Sequence, residues 1–268
     1  MTVALIAGRG GLPAALTRAM ARPPLVAAME GVTPEGLSVD LTFRVERLMP
    51  FLRALQDRAV ETVVFAGAVT RPRLDPALLD PETANMLPRL MQAMAAGDDA
   101  TLRVVIDIFT ESGFAVAGVA DVAPSLLPAA GLLAGTLTDR DQADATRAAA
   151  IVTALGAVDV GQGAVVAQGL CLAVEALPGT DAMLAGVAAL PANLRPDPSR
   201  GRGLFYKAAK PGQDHRIDLP TLGPDTLRAA QTAGLGGVVF EAGNVICLDL
   251  PEMQRLAGEL GLFLWARG

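Results

Sequence analysis

Four short apolar runs, each with a glycine at or near its end, alternate with helical segments through the first half of the chain: "TVALIAG" (2–8), "PLVAAMEG" (24–31), "TVVFAGAV" (62–69) and "FAVAGV" (114–119). They read as strands, because they are short, bounded by glycine, and apolar without the alternation of a strand that has one wet face. Between them, "LPAALTRAMA" (12–21) and the amphipathic "RVERLMPFLRALQDRA" (44–59) predict helices, with Pro50 expected to kink or divide the second, and more helix covers 83–112. Strand–helix alternation implies a mostly parallel sheet with helices on both faces.

From 121 to 138 the chain turns to prolines, glycines and few charges, and a domain boundary is expected there, dividing 1–130 from 131–268. The second half has another rhythm: helix over 139–156, two or three strands broken by glycine turns over 158–177, helix over 180–190 and strand over 201–210. Helix follows over 224–234, a strand pair turning at "AGN" over 236–250, helix over 251–260 and a last strand over 262–267. The fold class is α/β: a Rossmann-like parallel-sheet domain followed by a second α/β domain with a mixed sheet.

Charge narrows the function. A net charge of -6 is unlike a nucleic-acid binder, which needs a basic stripe, and unlike a polybasic membrane anchor. It leaves room for an anionic substrate, since binding follows local charge. No signal peptide opens the sequence and no run of ~18 apolar residues free of Pro, Gly and charge occurs, so a cytoplasmic protein without a stable membrane anchor is expected. One histidine and two separated cysteines make a zinc site implausible; a metal here would be held by carboxylates, as Mg²⁺ or Mn²⁺ are. Cys171 and Cys247 sit in apolar runs and read as buried, inert thiols.

Several segments could carry chemistry. Gly8, Gly10 and Gly11 lie between a strand and a helix, where backbone N–H groups can meet a phosphate, although Pro13 stands where a dinucleotide fingerprint has its third glycine. A tight turn without ligand explains the same glycines. Glu30 ends the next strand, where a ribose-binding acid would stand, and Arg71 and Arg73 follow the third strand. Asp98 and Asp99 start a helix, as an N-cap and an i,i+4 partner of Arg103 or as a metal-binding pair. Gln162, Thr180 and Asp181 edge apolar runs, the last two as helix caps or site groups, while Glu175 inside "CLAVEAL" needs a partner if buried.

The densest polar stretch is "KAAKPGQDHRIDLPTLGPDT" (207–226), in a chain that is 51% hydrophobic and only 19% charged. Pro211 and Pro220 bracket it, so an extended segment is expected, with Asp214, Arg216 and Asp218 on one side and His215, Ile217 and Leu219 on the other. A carboxylate–guanidinium–carboxylate row can grip phosphate and orient water, with Lys207 and Lys210 adding positive charge; a solvated, salt-bridged edge is the other reading.

Taken in order, "LIAGRGGLP", "FAGAVTRP", "GDDATLR", "DVGQGAVVAQGLCLAVEALPGTDAML", the stretch above and "GLGGVVFEAGN" resemble the LpxI-type UDP-2,3-diacylglucosamine pyrophosphatases over nearly the whole chain. The resemblance implies Mg²⁺-dependent hydrolysis of UDP-2,3-diacylglucosamine to UMP and 2,3-diacylglucosamine 1-phosphate, a step of lipid A biosynthesis. Under it Asp218, Asp214, Lys210 and Arg216 are expected to be catalytic. Gly8, Gly10, Gly11, Gln162, Thr180, Asp181, Lys207 and Gln213 are expected to bind substrate, and Asp98, Asp99 and Asp218 to hold metal. A homodimer and transient contact with the inner membrane are also expected. Two other readings stay open: a nicotinamide-dependent oxidoreductase, from the glycine turn and Glu30, and a nucleotide-sugar or lipid-binding module without turnover.

Overall fold

The computed structural model describes residues 2–69, 73–212, 214–217 and 219–268, with Ala96, Asp98 and Asp99 described by their backbone alone. The chain forms two compact units: Met1–Ser125 with Asp214–Asp218, and Leu126–Gln213 with Leu219–Gly268. The segment 214–218, which the sequence reading drew into the C-terminal domain, thus groups with the first unit.

The first unit is built on a five-stranded parallel sheet in the order β3 (Leu41–Phe43), β2 (Leu25–Met29), β1 (Thr2–Ala7), β4 (Val60–Ala66), β5 (Ala115–Ala117). Its helices are α1 (Leu12–Ala19), α2 (Leu48–Gln56), α3 (Pro81–Ala96), α4 (Asp98–Glu111) and the one-turn α5 (Val119–Val122). Small residues on the central strands, Ala4 and Ala27, let helices approach, and Phe51, Leu52, Leu55, Ile108 and Phe109 fill the space against them. Phe51 stacks on Phe43 at 4.1 Å between ring centroids, and Phe109 meets Phe65 edge-on at 5.1 Å.

Pro50 does not kink its helix. A 3₁₀ turn over Val45–Arg47 precedes α2, which leaves Pro50 in the first turn, where a missing N–H breaks no intrahelical bond. The sequence reading missed β3, a three-residue strand with no buried residue, fixed by Asp40, whose Oδ2 accepts from Val26 N at 2.8 Å.

The strand order reverses between β1 and β4, the switch point beside which open α/β sheets bind ligands. Here the loops leaving those strands bond to each other: Gly8 N donates to Ala66 O at 2.7 Å, Arg9 N to Ala68 O at 2.8 Å and Ala68 N to Arg9 O at 3.0 Å. The approach demands glycine, since a Cβ on Gly8 would lie 2.6 Å from Ala68 O and one on Gly67 would lie 2.7 Å from Arg9 O.

The second unit holds a six-stranded mixed sheet in the order β6 (Gly131–Ala134), β13 (Phe263–Arg267), β11 (Gly237–Glu241), β9 (Leu204–Lys207), β7 (Gly163–Ala167), β8 (Leu170–Val174). The central three strands are parallel, and β6, β7 and β8 join antiparallel. Alternate residues feed two cores. Phe205, Val238, Phe240 and Leu264 meet α7 (Gly179–Ala188), α8 (Pro224–Thr232) and α9 (Leu250–Leu260), whereas Leu204, Tyr206, Val239 and Phe263 meet α6 (Asp139–Gly156).

Three expectations for this unit are corrected. Residues 236–250 form no hairpin: both edges of β11 are filled by β9 and β13, so β12 (Ile246–Cys247) pairs instead with β10 (Thr221–Leu222) in a separate parallel ribbon. The segment read as a loose connection contains β6, an edge strand. Cys171 is exposed, because β8 is the other edge and its apolar run is not covered, while burial of Cys247 pushes its thiol up to about 12. Among the described residues no helix is long and apolar enough to cross a membrane.

Replacing Gly8 by alanine puts a methyl group against backbone that cannot turn aside. The Gly8→Ala variant is expected to lose about 1–3 kcal/mol of stability, read from the midpoint of urea unfolding at unchanged m. An unchanged midpoint would mean that the paired loops are not tightly held.

Candidate functional site

In the second unit the polar groups gather at the carboxyl end of β9. Lys207 ends that strand and is buried with a relative exposure of 6%. A buried ammonium is tolerated only with acceptors around it. Lys207 Nζ donates to Thr180 Oγ1 at 2.8 Å and to Thr221 O at 3.3 Å. Thr180 is therefore not the helix cap that its position suggested: α7 starts after Pro178 without a side-chain cap, and the Thr180 hydroxyl turns to Lys207. Asp181 sits beside it in the first turn of α7, exposed.

Across the sheet, Gly163 on β7 pairs with Lys207 and accepts from Glu175 N at 2.8 Å, so Lys207 and Glu175 flank a position without a side chain. Glu175 is buried, and its Oε2 lies 2.5 Å from where a Gly163 Cβ would be. Among the described residues that oxygen and Gln162 Oε1 are buried without a hydrogen-bond partner. Among the described residues Glu175 Oε2 thus lacks the partner that a buried carboxylate oxygen calls for.

Lys210 forms an ion pair with Asp159 at 2.6 Å, and the loop between it and β9 is held by Glu241, whose Oε2 accepts from Ala209 N at 3.3 Å. The sequence reading missed Asp159, Thr221 and Glu241. Asp159 opens the quoted "DVGQG" motif and Thr221 lies inside the polar stretch, so proximity to known candidates was the available signal. Glu241 gave none, because its role depends on which strand lies next to β11.

In the first unit the segment 214–217 is not extended. Ile217 N donates to Asp214 O at 3.2 Å, closing a turn. The cause is local: Asp214 Oδ1 accepts from Arg216 N at 3.0 Å, the side-chain-to-backbone bond by which Asp competes with extended structure. The same carboxylate takes Arg216 Nε at 2.9 Å and Nη2 at 2.6 Å, a forked pair. Arg216's side-chain bond holds the Asp214 carboxyl below the usual carboxylate range, with Arg103 of α4 contributing, and Asp214 in turn raises Arg216. Gly118 admits this segment, since a Cβ there would lie 2.9 Å from Arg216 Cα. His215 is exposed.

A cavity of about 470 Å³ lies in the same unit at the carboxyl ends of β1, β2 and β4. Its lining includes Ile6, Met29, Phe43, Phe65, Val105 and Ile217, an apolar chamber of the size that takes small ligands. Gly8 serves backbone packing, as described above. Gly10, at φ +89° and with nothing within 4 Å of a Cβ, and Gly11, the residue before α1, stay at the free helix start. Glu30 forms an exposed ion pair with Arg44, and Arg73 is exposed.

Asp218, Gln213 and Arg71 lie outside the described residues, as do the side chains of Asp98 and Asp99, whose backbone opens α4 behind Gly97. Mg²⁺ requires several oxygen ligands in near-octahedral array. Among the described residues no group of three Asp, Glu, His or Cys side chains could hold a metal.

The family model described as the LpxI N-terminal domain matches residues 2–126, and that described as the LpxI C-terminal domain matches 129–265. The curated UDP-2,3-diacylglucosamine pyrophosphatase LpxI of Caulobacter vibrioides is 41% identical over 213 residues, covering 79% of this chain and 76% of the relative.

The Asp214–Arg216 fork links stability to pH. The folded-state pKa of Asp214 is depressed, so its contribution is present above the unfolded carboxylate value of about 3.9 and lost as pH falls through the lower folded value. Asp214→Asn is expected to unfold at slightly lower urea than wild type at pH 7, with the gap closing in strong acid. A gap independent of pH would show that the carboxylate charge does not matter.

Proposed function

The chain belongs to the LpxI family, and on that premise we propose that it hydrolyses the pyrophosphate bond of UDP-2,3-diacylglucosamine to UMP and 2,3-diacylglucosamine 1-phosphate. The observation that carries the proposal is Lys207: a buried ammonium held by Thr180 at a strand's carboxyl end, within a segment that the family resemblance singles out. Splitting a diphosphate requires neutralising charge on its oxygens and positioning a water.

Lys207 and Lys210 bring positive charge to the diphosphate. Gln162 offers its unmet acceptor to a substrate donor, and Thr180, Asp181 and Gln213 complete the binding set of the second unit. Asp218 orients or deprotonates the water. Asp214, already bound to Arg216, is the weaker base and serves to aim the guanidinium. Asp98, Asp99 and Asp218 would hold Mg²⁺, or Mn²⁺ in its place, which when bound would further neutralise charge on the phosphoryl oxygens. The apolar cavity of the first unit suits an acyl chain. The enzyme works in the cytoplasm, meets the inner membrane transiently and functions as a homodimer. The oxidoreductase reading loses its ribose-binding acid, since Glu30 is paired with Arg44.

Purified wild type is expected to release UMP from UDP-2,3-diacylglucosamine with Mg²⁺ and to lose that activity in EDTA. Asp218→Ala should lower kcat by about 10²-fold or more while substrate still binds. Lys207→Met should weaken kcat/KM by a similar factor. Full activity in Asp218→Ala would move the water-orienting role to another carboxylate. No UMP from folded wild type, together with tight substrate binding, would favour a binding module.

A further inference from the structure

At the end of the second unit's sheet opposite Lys207, where β9, β11 and β13 begin, lies a separate cavity of about 660 Å³. Three arginines line it: Arg140 in the first turn of α6, Arg200 at the end of the 3₁₀ turn Pro198–Arg200, and Arg202 just before β9. Their convergence is built in. Gly201, at φ +121°, stands between Arg200 and Arg202, and a Cβ there would lie 2.8 Å from Arg140 Cδ. The stem of Arg140 therefore crosses the loop over Gly201, between the other two arginines.

The loop itself is fixed. Gln168 Nε2 donates to Asp197 O at 2.5 Å and to Gly201 O at 3.0 Å, and Arg202 Nη2 donates to Gly261 O at 2.7 Å. Among the described residues the side chains of Arg140 and Arg200 make no hydrogen bond or ion pair, although Arg200 is near enough to Asp197 to help hold that carboxyl below its usual range. The carboxylate lining the cavity, Asp141, uses Oδ2 to hold Thr138, accepting from its N at 2.9 Å and its Oγ1 at 2.6 Å. A chain of net charge -6 thus collects three guanidinium groups around one cavity, two of which hydrogen-bond to no acceptor through their side chains among the described residues. Gathering like charges is unfavourable until an anion enters, and the guanidinium fork matches phosphoryl oxygens.

We propose that this cavity binds a phosphoryl anion through Arg140 and Arg200, at a site separate from the Lys207 end of the sheet. The same chemistry is carried by free phosphate or a soluble phosphomonoester and by the headgroup of an anionic phospholipid. The test uses the full chain and an R140Q/R200Q variant, whose two altered side chains are exposed and dispensable for the core. Isothermal titration with inorganic phosphate at low ionic strength is compared between the two, so that phosphate bound elsewhere cancels. Co-sedimentation with phosphatidylglycerol vesicles is compared against phosphatidylcholine vesicles.

Wild type is expected to bind phosphate at least about tenfold more tightly than the variant, with UMP release the same in both. R140K/R200K, which keeps charge without the fork, should recover part of the affinity. Vesicle association that is lost in the variant identifies the lipid headgroup as the source; phosphate binding without vesicle association identifies the free anion. Equal phosphate affinity and equal vesicle association in wild type and variant would overturn the proposal, as would binding of neither probe by wild type.

Discussion

A lysine buried at the end of a strand in an apolar core is the constraint from which the second unit can be understood. Moving an ammonium out of water costs several kcal/mol unless acceptors replace the lost solvent. Lys207 obtains them from the first turn of α7 through Thr180 and from β10 through the Thr221 carbonyl. Both elements must therefore be docked for the lysine to be buried. Register matters equally: Gly163 lies opposite Lys207, so the neighbouring strand presents no side chain beside it. A one-residue slip of β9 would turn Lys207 towards α6 and place Tyr206 among the residues of the other core.

The first unit solves a different problem with the same device of glycine at a close approach. Its parallel sheet exposes the carboxyl ends of β1 and β4 at the switch point, and Gly8 and Gly67 allow the two following loops to bond directly. Beside this closure lies the apolar chamber lined from β1, β2 and β4 and by α4. The turn at 214–217 belongs to this unit and contributes Ile217 to the chamber lining. One short stretch of sequence thus supplies Lys207 to one unit and the Asp214–Arg216 fork to the other.

Much of this was legible in the sequence where local pattern and tertiary role agree. The apolar runs of the first half became β1, β2, β4 and β5, and "DRDQADATRAAAIVTALG" became α6 with its Thr138 cap. Edges were not legible. β3 and β6 are short strands with little buried surface, and the apolar β8 left Cys171 exposed, because a run of apolar residues does not reveal whether a neighbour covers it. Pairing was also hidden: β11 and β12 are close in sequence, yet β11 has two better partners. At the site, proline bracketing suggested extension at 214–217, but one carboxylate bonding to a backbone N–H two residues on was enough to make a turn. The clustering of Lys207, Thr180 and Gln162 at one end of a sheet follows from strand order, which no single segment encodes.

The central claim is that water cleaves the anhydride of a UDP-lipid. Turnover in ¹⁸O-labelled water, with mass spectrometry of both products, tests it most directly. The account predicts UMP and 2,3-diacylglucosamine 1-phosphate in equal amounts, with one labelled oxygen per turnover on one of the two phosphates. UMP formed with no label in either product would mean transfer to an acceptor other than water, and would contradict hydrolysis as the reaction.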